Sequence, residues 1–197
     1  MNDPRTDDIA REAARLIESG RVENIGEAIR VAADTLGYRN AELPGRGRVR
    51  AHARALAMQA LGDAGYAQSV RRVWEGAERL MTVLHHAWPD ADTLLVGRAA
   101  QGQIDGGVTV HVRLYTEAAI GAVAEALVEY GYDEPAFETA NTRLGRLSRI
   151  RLEDDGLELV VTRCLPHMAG VADRDLFSGK PIRTATLDEV RKLLAGG

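Results

Sequence analysis

The spacing of apolar residues changes once along the chain. From residue 6 to residue 87, apolar positions recur every three or four residues, as on the buried face of an amphipathic helix. Gly20, Gly37 and the pair Pro44-Gly45 interrupt this pattern where helices are expected to end or begin. The pattern therefore predicts four helices, at about 6–19, 24–36, 47–61 and 66–87.

After Pro89 the apolar residues alternate with polar ones, which is the period of a half-buried strand. Asp154-Asp155-Gly156 is a strong hairpin signal between two of these strands. Strands are predicted at 93–97, 108–116, 137–142, 147–152 and 157–165, with helices at 117–130 and from residue 187 onward. We therefore expect an α+β fold, with an N-terminal helical region (1–88) followed by an α+β domain (89–197), packed as one unit. Its sheet is expected to be small, mixed or antiparallel, and flanked by helices.

The stretch from Leu94 to Thr116, LLVGRAAQGQIDGGVTVHVRLYT, organises this second half. It is predicted to form a strand, a glycine-rich connection and a strand of strict alternation. In the second strand the odd-numbered residues from Thr109 to Tyr115 share one face, and the valines and Leu114 share the other. The polar face therefore carries the candidate chemistry.

Composition limits the classes of protein and the cellular compartments to which the chain could belong. The chain has 197 residues, 45% of them hydrophobic, and a formal net charge of −4. The charge gives no overall attraction to nucleic acid, and no apolar run is long enough to predict a membrane span. The acidic, amphipathic first residues predict no secretory leader. A single cysteine, Cys164, fits a cytoplasmic protein, and the strong preference for arginine over lysine suggests a bacterial source.

Arginine is concentrated between residues 39 and 54. Arg46, Arg48, Arg50 and Arg54 lie at the predicted start of the third helix, and only Glu42 opposes this charge. One interpretation is an arm that contacts the phosphates of a nucleotide or RNA. The other is a solvated helix start, although arginine is slightly unfavourable near a helix N-terminus.

The second half resembles the nucleotidyltransferase superfamily, the minimal fold of polymerase-beta-like transferases. Val96-Gly97 matches the strand that ends in Gly-Ser, residues 108–114 match the strand with the Asp-x-Asp pair, and residues 157–161 match the strand of the third acid. The chain also resembles an uncharacterised bacterial group of this fold, through Asp8 to Leu16 and through GKPIRTATL at Gly179 to Leu187.

This resemblance implies phosphoryl transfer with Mg²⁺ held by carboxylates. Two acids at positions i and i+2 of a strand would face the same side and share the metals. Here Thr109 and His111 occupy those positions, and Gly97-Arg98 replaces Gly-Ser. Only the third acid is kept, as Glu158, with Asp105 nearby. The preferred hypothesis is therefore a pseudoenzyme that binds a nucleotide, a nucleic acid or a protein.

The candidate site residues fall into two sets. Those that could take part in catalysis are Glu158, His111 and Asp105, and no metal site is assigned. Those that could bind a nucleotide or another anion are Gly97, Arg98, Thr109, Arg113, Arg149 and Arg163. A plainer interpretation of the same residues is the solvent face of a half-covered sheet, crossed by weak Arg–Glu pairs.

Two alternatives stay open from sequence. One is an active transferase of atypical geometry that uses Mg²⁺, with Glu158, Asp105 and either Asp154 or Asp155 as ligands. The other is a regulatory, antitoxin-like protein whose helical half binds a protein partner or a second copy of the chain. The sequence does not name a substrate, a ligand or a pathway.

Overall fold

The computed structural model describes residues 3–22, 24–104 and 108–196. In these ranges the helices are α1 (Pro4–Glu18), α2 (Ile25–Thr35), α3 (Arg46–Ala87), α4 (Ile120–Glu129) and α5 (Leu187–Ala195). The strands are β1 (Asp92–Val96), β2 (Val110–Tyr115), β3 (Ala136–Thr142), β4 (Gly145–Asp154), β5 (Leu157–Cys164) and β6 (Thr184–Thr186). Two short 3-10 helices cover Ala99–Gln101 and Pro166–Val171. The α+β fold class is confirmed.

The first unit contains α1, α2 and the part of α3 up to Ser69. Asn24 caps α2 because its side-chain oxygen accepts hydrogen bonds from the backbone N–H groups of Gly26 and Glu27. The buried positions of all three helices form one cluster that is rich in alanine. Small side chains let the helices approach closely, so short helices that would be marginal alone are stabilised by packing.

Helix α3 is interrupted at Gly62, whose φ of 69° and ψ of 170° are not helical. Only glycine adopts this backbone conformation without a large steric cost. The interruption divides α3 into the two helices that the apolar pattern predicts. The two units separate after Ser69, within α3, so the sequence-predicted boundary at residue 88 falls inside the second unit.

The second unit is built on a six-stranded mixed sheet in the order β3-β4-β5-β2-β1-β6. Strand β2 pairs antiparallel with β1 and parallel with β5, and the other neighbours are antiparallel. The tight β4–β5 turn uses the left-handed conformations of Asp155 and Gly156, as the hairpin signal predicts. Strand β6 is not predicted from sequence; its last residue, Thr186, is also the N-cap of α5.

Both faces of the sheet centre are covered. On one face, α3 approaches β5 so closely that a Cβ at Gly76 would lie 2.7 Å from Leu157 Cδ1. On the other face, the chain from Pro166 to Leu176 packs over β2 and β5, and Leu176 joins Tyr115 and Cys164 in a buried cluster. The interpretation of this second face as solvent-exposed is therefore wrong at its centre, where Arg113 is only 3% exposed.

Candidate functional site

A cavity of about 130 Å³ lies on the sheet face that carries the odd-numbered residues of β2. The strand register places Arg113 beside Thr162 and Thr162 beside Arg149, which forms a row across β2, β5 and β4. The cavity is lined by Val96, Gly97, His111, Arg113, Ala140, Thr142, Arg149, Thr162, Asp175, Leu176, Phe177 and Ile182. The row of polar side chains forms its floor, and residues 175–177, at the end of the chain that covers this face, form part of its wall.

Arg113 is the most deeply buried cation of the cavity. Its side chain is almost inaccessible to solvent, and its Nη1 atom donates a hydrogen bond to the carbonyl oxygen of Ala172 at 3.0 Å. A buried guanidinium is costly unless hydrogen bonds or an anion compensate for its lost hydration. The bond to Ala172 compensates for part of this cost and ties the covering segment to the sheet.

Arg149 is the second cation of the cavity. Its Nη2 atom lies 3.4 Å from His111 Nδ1. Its Nε atom is buried and has no hydrogen-bond partner within the described chain. Burial lowers the pKa of Arg149, and the nearby charge of Arg151 lowers it further, against the opposing effect of Glu138. An unpaired buried donor of this kind marks a place where an anionic oxygen would be stabilised.

His111 is neutral at physiological pH. Burial lowers its pKa to about 4, and the positive charges of Arg149, Arg151 and Arg113 act in the same direction. Because Nδ1 faces the guanidinium donor of Arg149, the neutral ring carries its proton on Nε2. The ring can therefore donate one hydrogen bond, but it is a weak base in this state.

One carboxylate also lines the cavity. The side chain of Asp175 accepts hydrogen bonds from the backbone N–H groups of Phe177 and Ser178, at 3.2 and 2.6 Å. Burial opposes its ionisation, but the bonds from Ser178 and Phe177 and the charge of Arg113 hold its pKa below the usual value. The cavity thus combines two arginines with one ionised carboxylate, and its remaining charge is positive.

Gly97 lines the cavity but does not offer its backbone donor to it. Its φ of 76° lies in the left-handed region, and its N–H donates to the carbonyl oxygen of Arg183 at 2.9 Å. The backbone N–H that the resemblance would direct to a phosphate is therefore bound to Arg183, the residue before β6. Arg98 does not belong to the described lining of the cavity.

Glu158 and Thr109 lie together but outside this cavity. The Thr109 hydroxyl donates to the Glu158 carboxylate, which also forms an ion pair with Arg151. Glu158 lines a separate acidic depression with Asp133, Glu134 and Glu153. The predicted catalytic residues are thus not brought together: Glu158 and His111 belong to different depressions, and Asp105 lies outside the described residues.

Arg163 is not part of the site. It pairs in register with Leu114, and its side chain donates to the carbonyl oxygens of Ala118 and Glu117 at 3.2 and 3.3 Å. Its assignment to the anion-binding set is therefore corrected by strand alternation, since the neighbouring Thr162 occupies the cavity face.

Among the residues that the structure describes, the acidic side chains do not form a site for a pair of magnesium ions. Within the described ranges, no three histidine, cysteine or acidic side chains converge as a metal site. Asp154 forms an ion pair with Arg79 at 2.7 Å, and Asp155 pairs with Arg72 at 3.4 Å. These carboxylates thus have arginine partners on α3, and Asp154 lines a different depression from Glu158.

Thr162, Asp175 and Phe177 are among the cavity residues that sequence reasoning misses. Thr162 could have been inferred from the alternation of β5, once β5 is placed beside β2. Asp175 and Phe177 lie in a segment that the sequence predicts only as loop, so no periodicity marks them. Asp175 and Phe177 reach the cavity only because their part of the chain packs over the sheet.

Two other expectations concern surfaces. Among the described residues, no helix is long and apolar enough to cross a membrane.

In the first unit, the exposed large apolar residues are Val31, Leu36, Leu43 and Leu61. The expectation of a protein partner or a homo-oligomer stays a prediction.

Comparison with known proteins gives weak similarities only. No protein-family model matches the chain, and no curated protein matches it. Among solved structures, the polymerase core of TRAMP, an RNA surveillance complex, is 18% identical over 45% of this chain and 30% of that chain, with a TM-score of 0.36. A structure of the GLD-2/RNP-8 complex is 12% identical over 57% of this chain and 40% of that chain, with a TM-score of 0.38. The match thus spans less than half of either structure, and neither assigns a family or an activity.

Proposed function

We propose that the protein is a catalytically degenerate member of the nucleotidyltransferase-like folds that binds the phosphoryl group of a nucleotide without transferring it. The observation that carries the proposal is the pair of arginines in the cavity, Arg113 and Arg149, with a buried Nε donor on Arg149 that lacks a partner in the described chain. Such forks bind phosphate oxygens without a metal.

The strand arrangement supports degeneracy. Because β2 and β5 are parallel neighbours, Glu158 lies next to Thr109, where the third acid of a transferase would meet the first. Thr109 and His111 supply a hydroxyl and a neutral imidazole instead of two carboxylates. Neither residue provides the hard anionic oxygen that Mg²⁺ needs, and Glu158 is already neutralised by Arg151.

The size of the cavity limits what enters it. Pockets for drug-sized ligands occupy about 300–1,000 Å³. A cavity of about 130 Å³ is smaller, so it accepts one terminal group of a ligand. The rest of a nucleotide would extend toward the mouth, where the ring of Phe177 is 56% exposed and offers a surface for a base or sugar.

The binding test compares two variants of β4 that remove the same charge. Arg149→Gln removes the cavity donor, and Arg146→Gln removes an exposed arginine that bonds the Thr139 hydroxyl at 3.1 Å. Calorimetric titration with ATP, ADP and inorganic phosphate should show binding that weakens about tenfold or more in the first variant, because a charge-assisted bond contributes about 1.5–3 kcal/mol. The second variant should bind as the wild type does.

Two results would overturn the proposal. The first is transfer of nucleotide from labelled ATP to an acceptor in the presence of Mg²⁺ or Mn²⁺, which would show an active enzyme. The second is equal binding by wild type and the Arg149 variant, or no binding of any of the three ligands by a folded wild-type protein. Circular dichroism of each variant establishes that it is folded.

A further inference from the structure

The first unit carries a row of arginines on one side of α3. Arg46, Arg50 and Arg54 follow one another at intervals of four residues, so they lie along one stripe of the helix, about one turn apart. Arg48 lies two residues after Arg46, so it points away from this stripe. The sixteen-residue segment from Arg46 to Leu61 contains no acidic residue, in a chain whose net charge is −4.

Several acids of this unit pair with arginines outside the stripe, and one of them, Asp7, also contacts His52 of α3 at 3.0 Å. On α1, Asp7 and Asp8 pair with Arg11, and Glu12 pairs with Arg15. After α2, Arg39 pairs with Asp34. Among the described residues, no carboxylate lies within ion-pair distance of Arg46, Arg50 or Arg54, whereas Arg11 and Arg15 are paired with acids of their own helix, α1.

The position of the stripe is unfavourable for an isolated protein. Arg46 opens α3, where the partial positive charge of the helix terminus repels a cation. Three like charges at successive turns also repel one another. Arg54 is partly compensated by stacking over the Tyr66 ring at 5.8 Å, which fixes the direction of its guanidinium. A ligand with repeating negative charge would relieve this repulsion.

The surroundings of the stripe favour a nucleic-acid strand over a protein. The exposed positions beside it are small, Gly47, Ala51 and Ala55, so a backbone can approach the helix closely. Protein interfaces usually centre on large aromatic or apolar anchors, and the stripe itself presents none. Regular spacing of planar guanidinium groups suits a regular chain of phosphates.

We infer that α3 binds the phosphate backbone of a single-stranded nucleic acid through Arg46, Arg50 and Arg54, with little dependence on base sequence. This site is independent of the cavity on the sheet, and either can exist without the other.

The test measures the fluorescence anisotropy of labelled oligouridylate and oligothymidylate, with an oligoglutamate peptide of equal charge as a third probe. The triple variant Arg46→Gln, Arg50→Gln, Arg54→Gln is compared with Arg5→Gln, Arg11→Gln, Arg15→Gln. Both variants remove three positive charges, but the second set is paired with its own acids. Binding is followed across salt concentrations.

The wild type should bind both oligonucleotides, and the α3 variant should bind at least about tenfold more weakly. The slope of log affinity against log salt should fall by about 2, since each single-strand phosphate contact contributes about 0.7. The control should retain the wild-type slope. An equal loss in the control, or an unchanged slope in the α3 variant, would overturn the inference.

Binding of oligoglutamate but neither oligonucleotide would also overturn it and would point to an acidic protein partner. If thermal unfolding shows that the triple variant is not folded, the double variant Arg46→Gln, Arg50→Gln serves, because Arg54 then keeps its contact with Tyr66. The double variant should lower the slope by about 1.4 under the same rule.

Discussion

At the scale of single residues, the chemistry of the sheet face depends on Thr109 and His111. Thr109 donates its hydroxyl to Glu158, so it stabilises a carboxylate rather than a metal. Burial makes the protonation of His111 costly and lowers its pKa, and the charges of Arg149, Arg151 and Arg113 add to this effect. His111 therefore adds no strong base to the two arginines of the cavity.

The state of His111 predicts a defined acid sensitivity. Its pKa is about 4 in the folded protein and 6.5 ordinarily, so between these values the unfolded chain takes up a proton that the folded chain does not. Stability should therefore fall as pH falls from 6.5 to 4, by up to about 3 kcal/mol from this group. In His111→Gln this part of the loss should vanish.

Urea unfolding at pH 7 and at pH 4.5 measures the difference, and NMR titration of the ring gives the pKa directly. Equal pH-dependent losses in wild type and variant would contradict the prediction, as would a ring pKa near the ordinary value. A bound phosphate should raise the pKa of His111, because an anion offsets the nearby guanidinium charges.

At the scale of elements, strand alternation gives the orientation of each side chain but not what covers it. Alternation along β2 correctly predicts which of its residues share one face of the sheet. Its burial depends on Pro166–Val171 and the residues after it, which pack through Leu176 onto Tyr115 and Cys164. Apolar spacing in this segment is irregular, so its position is a tertiary property.

The short helix after β1 gives a prediction at this scale. Gly102 ends it with a φ of 65°, and a Cβ there would lie 3.0 Å from Trp74 Cζ2. Trp74 is also held by its Nε1 bond to the Ala99 carbonyl at 2.9 Å, so it has little freedom to move. Gly102→Ala should therefore destabilise the protein by about 1–3 kcal/mol.

Gly121 is the matched control. It lies in the first turn of α4, and a Cβ there would meet nothing within 4 Å. Gly121→Ala should be neutral or stabilise by up to about 1 kcal/mol, because alanine favours the helix. Midpoints of urea unfolding compare the two variants, and equal effects would show that the conformation and contacts of Gly102 do not matter.

At the scale of the whole molecule, the described chain contains two compact units that share α3. Each has its own buried core, the first from three helices and the second from the sheet and its helices. The interruption of α3 at Gly62 is followed by the exposed residues Asp63 and Ala64. We therefore expect α3 to be protected from hydrogen exchange in two separate stretches.

Amide hydrogen exchange should show this division. Leu80, Met81 and Leu84 are fully buried, so their amides should be among the slowest in the protein. Amides at 62–64 should exchange at least about a hundredfold faster, because local opening there breaks few contacts. Mass spectrometry of overlapping peptides measures both regions in one experiment, and uniform protection along α3 would contradict the prediction.

The elements were largely predictable from sequence because local periodicity and caps carry their own signals. The capping box of α5 is an example: Thr186 and Glu189 satisfy each other's backbone N–H groups, as their spacing predicts. The candidate site was only partly predictable. His111, Arg113 and Arg149 lie in the cavity, whereas Glu158 lies beside it and Arg163 on the opposite face.

The sequence by itself determined the order of helices and strands, the polar face of β2 and the absence of acids at positions 109 and 111. These features follow from the two-residue period of strands, the 3.6-residue period of helices and the identity of single residues. All three are local properties of the sequence. The tertiary structure decided that β5 pairs parallel with β2, that the chain from Pro166 to Leu176 packs over the sheet, and that Arg149 rather than Arg163 lines the same cavity as Arg113. Strand pairing and segment docking depend on contacts between residues distant in the chain, and no local pattern encodes them.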